Sequence, residues 1–304
     1  MTVPYNPYAG TNAAVTPTGQ TTTGEIRTAD GHTRTYRLYV PSALDKRTAA
    51  PLVVALHGGM GSGAQFAANS GFDGLAEANG FIVAYPDGIG APRASRLQTW
   101  NGGYCCGPAV EANVDDVAFV RQLIELLRSQ LLIDPQRTYA AGHSNGAIMA
   151  YRLACELSDQ IVAIGVQAGS LGVDSCSLAR PVSVFHQHGT ADTNHPIDGG
   201  KGTGVAGVEF RSARAAVDAF VNANGCVPPP VPGADPANPD LAVTTWQSCR
   251  GDTAVQFVAV TGATHAWMGH DAASRLGASL VGEPYPKLDA SRAVWSFLAA
   301  HPRR

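Results

Sequence analysis

Uninterrupted apolar runs alternate along this chain with segments whose apolar residues recur at helical spacing. The runs are short and rich in Val, Ala and Ile, which is typical of strands covered on both faces of a sheet. Between two of them, Val114, Val117, Val120 and Ile124 repeat every three or four residues, which predicts a helix over 114–131. The alternation predicts an α/β fold with a mostly parallel central sheet and helices on both faces. The predicted strands are 51–57, 81–85, 137–141, 161–168, 182–188, 241–248 and 254–260, and the other predicted helices are 64–79, 147–154, 207–223 and 289–300.

The beginning of the chain has a different pattern, which predicts an antiparallel hairpin. Two runs of alternating polar and apolar residues, 25–28 and 33–40, flank an Asp-Gly pair, and Asp-Gly is a strong signal for a tight hairpin turn. Residues 1–22 are rich in Thr, Pro, Gly and Asn, so we expect a flexible N-terminal segment there. Residues 23–304 are then expected to form a single domain, since a chain of this length can bury one large core.

The pentapeptide Gly142-His143-Ser144-Asn145-Gly146 has the pattern G-x-S-x-G. By itself this pattern is weak, but here it follows a predicted strand and opens a predicted helix, which is the context of a nucleophile elbow. The turn in such an elbow is so tight that only glycines fit beside the serine. The helix behind the serine directs N–H groups towards any negative charge that forms nearby. We therefore predict that Ser144 is a nucleophile.

A serine becomes a good nucleophile only when a base takes its proton and an acid orients that base. In strand–turn–helix hydrolases the order along the chain is Ser, then Asp or Glu, then His. Asp192 follows the predicted strand 182–188, and His265 follows the predicted strand 254–260. We predict that these residues are the orienting acid and the base. Asp198 is the rival for the acid, but the glycines beside it indicate a mobile loop.

The segment after the apolar run 51–56 is a candidate oxyanion hole. It reads His-Gly-Gly-Met-Gly-Ser-Gly, and in this kind of site one donor comes from such a loop and another from the residue after the nucleophile. We predict that the backbone N–H groups of Gly59 and Asn145 are the donors, with Met60 as the alternative to Gly59. His57 is expected to brace the loop. A phosphate-binding reading is disfavoured, because neither the P-loop ending nor the dinucleotide spacing is present.

These segments together resemble the polyhydroxybutyrate-depolymerase/feruloyl-esterase group of secreted α/β-hydrolases. The resemblance runs from about Leu38 to the C-terminus. It implies an α/β-hydrolase fold and carboxylic-ester hydrolysis without a cofactor, with Ser144, Asp192 and His265 as the triad. One departure is Gly59, where relatives often have Cys. The segments that carry the resemblance are Leu56-His57-Gly58-Gly59, Tyr85-Pro86-Asp87, Trp100-Asn101, Cys105-Cys106-Gly107, Asp115-Asp116, Gly142-His143-Ser144-Asn145-Gly146, His188-Gly189-Thr190-Ala191-Asp192 and Thr264-His265-Ala266-Trp267.

Charge and hydropathy narrow the range of partners. A formal net charge of −3 and a pI near 6.3 give no electrostatic reason to expect nucleic acid or an anionic membrane as a partner. No apolar stretch reaches the roughly 18–20 residues that a membrane span needs. The His-Glu-x-x-His pattern of a metal-dependent hydrolase is absent from the sequence. We therefore expect no nucleic-acid, membrane or metal partner, and we expect a monomer. The resemblance implies that no cofactor is needed and that the partner is an ester substrate, either a plant cell-wall feruloyl ester or a polyester oligomer.

The six cysteines fall into three pairs that are close in sequence. We favour disulfides Cys155–Cys176 and Cys226–Cys249, each closing a loop of about twenty residues, although six cysteines allow 15 pairings in principle. The adjacent pair at 105–106 is left open between a disulfide and two thiols. Disulfides form in oxidising compartments, so we expect a secreted, extracellular protein, with a cytosolic protein holding free thiols as the alternative. The Pro-rich segment 227–239 lies between Cys226 and Cys249, so we expect a loop closed by that disulfide rather than a linker between domains.

Two tryptophans and a glutamine near the predicted site bear on the identity of the substrate. Trp267, Trp100 and Gln65 are candidate substrate-binding residues, since an indole wall suits a feruloyl ring or a polyester chain. A feruloyl (hydroxycinnamoyl) ester is the favoured substrate, and 3-hydroxybutyrate oligomers or aromatic polyesters are the alternatives. Two other classes stay open, namely an acyltransferase that uses the same triad and a non-catalytic binding protein.

Overall fold

The computed structural model describes residues 15–45, 47–91, 93–204, 206–271 and 275–304. The strands are β1 Gln20–Arg27, β2 Thr33–Val40, β3 Ala50–Leu56, β4 Ile82–Pro86, β5 Ile89–Ala91, β6 Ala94–Thr99, β7 Ile133–His143, β8 Ala163–Gln167, β9 Ser183–Gly189, β10 Gly200–Lys201, β11 Glu209–Phe210, β12 Val231–Asp235, β13 Asn238–Trp246 and β14 Val255–Val260. The helices are α1 Gly63–Ser70, α2 Phe72–Asn79, α3 Gly107–Glu111, α4 Asp116–Gln130, α5 Asn145–Glu156, α6 Ala213–Ala223, α7 Arg275–Val281 and α8 Ala290–Ala300, with a short 3₁₀ helix at Arg250–Asp252.

Ten strands form one sheet in the order β1-β2-β4-β3-β7-β8-β9-β14-β13-β12. The six central strands, from β4 to β14, are parallel to one another, and two antiparallel strands extend each end of the sheet. Because parallel neighbours end at the same edge, the loops after β3, β7, β9 and β14 are close together. This confirms the predicted α/β-hydrolase fold, including the N-terminal antiparallel hairpin β1–β2.

Helices cover both faces of the sheet, which explains why the central strands are apolar throughout. On β3, the side chains of Leu52 and Val54 join a core formed with α4, α5 and α6, whereas Val53 and Ala55 join a core formed with α1, α2 and α8. All seven residues of β3 are buried. Among the residues that the structure describes, none of the helices is both long enough and apolar enough to cross a bilayer.

Several boundaries differ from the predicted ones for identifiable reasons. The predicted helix 64–79 is two helices, because Gly71 between them has φ 70°, a left-handed conformation that ends α1 and starts α2. The Pro-rich segment forms the edge strand β12 and the start of β13, and proline is tolerated at a sheet edge. Strand β1 starts at Gln20, so the end of the predicted flexible segment is paired with β2. Residues 1–14 lie outside the described residues.

Both predicted disulfides are present. The Cys155–Cys176 bond, 2.05 Å long, ties the end of α5 to the loop after β8, and the Cys226–Cys249 bond, 1.99 Å long, ties the segment after α6 to the segment after β13. Loops of this size gain roughly 3 kcal/mol each in the chain-entropy account of disulfide stabilisation. The sulfur atoms of the adjacent pair at 105–106 are also bonded to each other.

Candidate active site

Ser144 lies in a sharp turn between β7 and α5. Its backbone has φ 55° and ψ −121°, a conformation that costs a non-glycine residue on the order of 1–3 kcal/mol. A Cβ on Gly142 would collide with the backbone of Gly146, and a Cβ on Gly146 would collide with the carbonyl oxygens of Leu56 and His57. The predicted elbow is therefore present, and close approach of the backbone accounts for both of its glycines.

The Ser144 hydroxyl, the His265 imidazole and the Asp192 carboxylate form a continuous hydrogen-bonded line. The Oγ of Ser144 is 2.8 Å from Nε2 of His265, and Nδ1 of His265 is 2.7 Å from Oδ2 of Asp192. Asp192 follows β9 and His265 follows β14, which are neighbours in the sheet, so the topology brings the two residues together. Asp198, the rival for the acid, is exposed in the same loop, whereas Asp192 is buried.

The carboxylate of Asp192 receives hydrogen bonds on both oxygens. Oδ1 accepts the backbone N–H groups of Asn194 and His195, each at 2.9 Å, and Nε2 of His188 lies 3.5 Å from Oδ2. Burial by itself would raise the pKa of Asp192, but hydrogen bonds from His188 and His265 outweigh burial and hold the pKa well below its ordinary value. The carboxylate is thus charged at neutral pH and can stabilise a protonated imidazole.

A buried chain of polar side chains leads from α5 to this carboxylate. The hydroxyl of Tyr151 is 2.8 Å from Nδ1 of His186, and Nε2 of His186 is 3.0 Å from Nδ1 of His188. Nε2 of His188 donates to the carbonyl oxygen of His195 at 2.8 Å, since a carbonyl can only accept. Burial lowers the pKa of His186 well below its ordinary value, so this ring is neutral. These contacts form one buried hydrogen-bonded chain from Tyr151 to the loop of Asp192.

The loop after β3 lies against the elbow. A Cβ built on Gly59 would be 3.6 Å from Cβ of Asn145, so the two predicted oxyanion donors belong to adjacent segments. The N–H of Met60 donates to the carbonyl oxygen of Gln98 at 2.7 Å, which leaves Gly59 as the better candidate. His57 braces the loop as predicted, because Nδ1 donates to the Gly58 carbonyl oxygen at 2.7 Å. Burial lowers the pKa of His57 to about 4, so the brace is neutral.

A cleft of about 120 Å³ opens beside Ser144. Trp267 and Gln65 both line it, as expected for substrate-binding residues, and Trp267 is anchored by a 2.9 Å hydrogen bond from its indole N–H to the hydroxyl of Ser291. Phe66 and Asn69, on the same helix as Gln65, also line the cleft but were missed. Their place in the sequence, on a helix after the predicted oxyanion loop, does not specify which face of that helix turns to the cleft.

His143 and His270 also belong to the polar part of the cleft wall. His143, within the elbow itself, donates from Nε2 to the carbonyl oxygen of His265 at 2.7 Å, and burial lowers its pKa to about 3. Nε2 of His270 is 3.1 Å from the carboxylate of Asp289. His270 could not be singled out from the sequence, because its partner Asp289 lies at the start of the last helix.

The prediction for Trp100 is wrong. Its side chain is fully buried and is not part of the cleft wall. The indole N–H donates to the carbonyl oxygen of His57 at 3.0 Å, and the backbone N–H donates to Oδ1 of Asn145 at 2.7 Å. Trp100 therefore lies behind the loop after β3 and does not face the cleft.

The amino-acid sequence of this chain matches a family of known proteins. The family model described as "Esterase PHB depolymerase" matches residues 34–223. Feruloyl esterase B of Piromyces equi is 32% identical over 233 residues, which is 74% of this chain and 41% of that protein. The chain thus spans less than half the length of that relative. Feruloyl esterase C of Emericella nidulans is 26% identical over 304 residues, covering 97% of this chain and 94% of that protein.

A solved structure shows the same fold. The ferulic acid esterase from Anaeromyces mucronatus, determined in complex with ferulic acid, aligns with a TM-score of 0.55 and 15% identity. The alignment covers 93% of this chain and 96% of that one. The strand order, the elbow and the matched family segment agree with one another, and this chain belongs to the PHB-depolymerase family of esterases.

Proposed function

We propose that this protein is a secreted, monomeric serine carboxylic-ester hydrolase that acts on feruloyl (hydroxycinnamoyl) esters without a metal or cofactor. The observation that carries the proposal is the 2.8 Å contact between Ser144 Oγ and His265 Nε2, continued to Asp192 at 2.7 Å. A serine in this arrangement has a base within reach of its proton, and the base has a charged partner.

The chemistry follows from these positions. The substrate carbonyl carbon is attacked by the Ser144 oxygen while His265 takes the proton, and the negative oxygen that forms is received by the N–H groups of Gly59 and Asn145. His265 then protonates the departing alcohol, leaving an acyl group on Ser144. Water attacks this ester with His265 again as the base, the bond from the acyl carbon to the Ser144 oxygen breaks, and His265 returns the proton to Ser144 as the free acid leaves. Loss of one donor to the oxyanion typically costs about 10²–10³ in rate.

The cleft supports an aromatic acyl group as the substrate. Phe66 and Trp267 form an edge-to-face pair with ring centroids 5.3 Å apart, which provides an apolar wall beside Ser144. Gln65 and Asn69 add hydrogen-bonding groups that could orient phenolic or methoxy oxygens. Relatives named feruloyl esterases favour the same acyl group. Secretion is favoured by the disulfides, which persist in oxidising compartments.

Paired turnover of methyl ferulate and a soluble 3-hydroxybutyrate trimer tests the proposal, with Ser144→Ala as the control. We expect turnover of methyl ferulate and a loss of at least about 10⁴-fold in Ser144→Ala. A preference for the trimer would replace the feruloyl assignment by a polyester or oligomer depolymerase. Full activity in Ser144→Ala would overturn the mechanism, and diversion of the acyl group to an added alcohol would indicate an acyltransferase.

A further inference from the structure

We infer that Trp100 is a positioning residue that holds the two halves of the oxyanion hole at a fixed distance from each other. The inference rests on the proposed function, because it concerns the same hole. One donor, Asn145, belongs to the elbow, and the other, Gly59, belongs to the loop after β3. Trp100 comes from a third segment, directly after β6, and forms hydrogen bonds to both of the others.

The contact with the elbow is a two-point pairing. The backbone N–H of Trp100 donates to Oδ1 of Asn145 at 2.7 Å, and Nδ2 of Asn145 donates back to the carbonyl oxygen of Trp100 at 3.0 Å. Two parallel bonds fix the plane of the amide as well as its distance. The side chain of Asn145 is therefore locked to Trp100, while its backbone N–H stays at the start of α5, next to Ser144.

The contact with the loop after β3 uses the indole ring. Its N–H donates to the carbonyl oxygen of His57 at 3.0 Å, and the ring lies against the imidazole of His57 with centroids 4.9 Å apart. His57 in turn donates to the carbonyl oxygen of Gly58, the residue before the second donor. A shift of the indole would thus be passed to the peptide that carries the Gly59 N–H.

Trp100 can fix other groups because it is itself held firmly. Its carbonyl oxygen also accepts the N–H groups of Gly102 and Cys106, at 3.1 and 3.2 Å. The next residue, Asn101, donates its N–H to Asp116 at 2.7 Å, and Asp116 forms a fully buried ion pair with Arg34 at 2.6 Å. The guanidinium of Arg34 lies 5.9 Å from the Trp100 ring centroid.

A positioning role of this kind predicts a particular kinetic signature. The oxyanion exists only in the transition state and the tetrahedral intermediate, so the spacing of its donors affects kcat and leaves KM nearly unchanged. A misplacement of about 1 Å can cost as much as 10²-fold. Trp100→Phe keeps an aromatic ring but removes the bond to His57. Asn145→Ala removes the bonds to Trp100 but keeps the backbone N–H that is the proposed donor.

The test measures two rates on these variants, with Trp246→Phe as the matched control. Trp246 is also buried but is not among the cleft residues. The first rate is kcat on methyl ferulate per active site, with sites counted by titration with a fluorophosphonate. The second is the rate of phosphonylation of Ser144, which forms charge on an oxygen in the same hole and needs no natural substrate. The count of active sites separates a changed hole from a smaller folded fraction.

We expect both rates to fall about tenfold in Trp100→Phe and about tenfold to a hundredfold in Asn145→Ala, with KM nearly constant and Trp246→Phe unchanged. Wild-type rates per titrated site in both hole variants would overturn the inference while leaving the esterase proposal intact. A wild-type protein that is not labelled at Ser144 would instead overturn the proposed function. If Trp100→Phe does not fold, the Asn145→Ala result decides, because that variant interrupts the same pairing from its other side.

Discussion

On the side of the site that carries the proposed nucleophile, at the ends of β3 and β7, backbone is packed so closely against backbone that Gly142 and Gly146 admit no Cβ. On the acid–base side, at the ends of β9 and β14, the side chains are held by hydrogen bonds. Asp192 accepts two backbone N–H groups and the N–H of His265, and His188 approaches its second oxygen. The elbow glycines are fixed by steric exclusion, whereas the acid–base side chains are held by hydrogen bonds.

The difference matters for how each side tolerates change. A steric fit fails abruptly, because an added methyl group has no place to go without moving a strand. On the acid–base side, Asp192 accepts several separate donors, so removing one of them leaves the others in place. We therefore expect substitutions on the acid–base side to give graded losses of rate, and substitutions of the elbow glycines to affect folding and activity together.

On the acid–base side, the largest loss of rate without loss of fold should come from Asp192→Asn. The amide is nearly isosteric with the carboxylate, so the hydrogen bonds to the loop persist, but it cannot stabilise the protonated form of His265. We expect kcat to fall about 10⁴-fold, as is typical when an orienting carboxylate becomes an amide. Steady-state kinetics on methyl ferulate, with circular dichroism as the control for folding, measures this. A loss below tenfold would contradict the role of Asp192.

Gly146→Ala tests the steric side. Its Cβ would overlap the carbonyl oxygens of Leu56 and His57, both in or next to β3. We expect the free energy of unfolding to fall by about 3 kcal/mol or more, together with a loss of activity. Gly233→Ala is the matched control, because a Cβ there has only ordinary contacts on the edge strand β12. Urea unfolding measures both variants, and equal stability of the two would refute the steric account.

This division also explains which parts of the site could be predicted from the sequence. Steric exclusion leaves glycines at fixed offsets from the serine, and the sheet topology fixes the order of Ser144, Asp192 and His265 along the chain. The first constraint concerns neighbouring residues and the second concerns only their order along the chain, so both can be recognised in a single sequence. The central strands and the hairpin could be predicted for a similar reason. Burial on both faces gives a continuous apolar run, and burial on one face gives an alternating pattern.

The parts that could not be predicted depend on contacts between distant segments. Trp100 has a side chain that suits the wall of a substrate site. Only the fold shows that its indole N–H donates to the carbonyl oxygen of His57, 43 residues earlier in the chain. Tyr151 lies on α5 and His186 on β9, and their pairing has no counterpart in the local pattern. The apolar pattern around Gly71 does not show whether the segment forms one helix or two. In the structure, the left-handed backbone of Gly71 separates α1 from α2.

Acid should weaken both sides of the site. Burial lowers the pKa of His57 to about 4 and that of His143 to about 3 on the nucleophile side, and lowers the pKa of His186 and His195 well below the ordinary value on the other. Above pH about 6.5 these rings are neutral in both folded and unfolded chains. Below it the unfolded chain binds protons that the folded chain does not, so stability is lost as pH falls.

We expect the free energy of unfolding to fall by more than about 1.4 kcal/mol per pH unit between pH 6 and 4.5, since a single such histidine accounts for about that slope. Urea titrations at stepped pH measure it. A repeat at 1 M salt is the control, because screening weakens repulsion between surface charges and leaves the buried rings unaffected. A stability that is flat across this range would show that the rings are protonated in the folded protein.

His188→Leu should have the smallest effect of the changes considered. It also discriminates best between support by steric exclusion and support by hydrogen bonds. The leucine fills much of the space of the ring but removes the N–H that lies 3.5 Å from Asp192 and the bond to the His195 carbonyl oxygen. Asp192 keeps its two backbone donors and His265, so we expect a loss of about tenfold in kcat rather than inactivation. Tyr151→Phe is the matched control. It removes only the hydroxyl that contacts His186 at the far end of the buried chain, so its loss of kcat should be smaller. If His188→Leu were as damaging as Asp192→Asn, the network would not be graded, and the acid–base side would be as intolerant of change as the elbow.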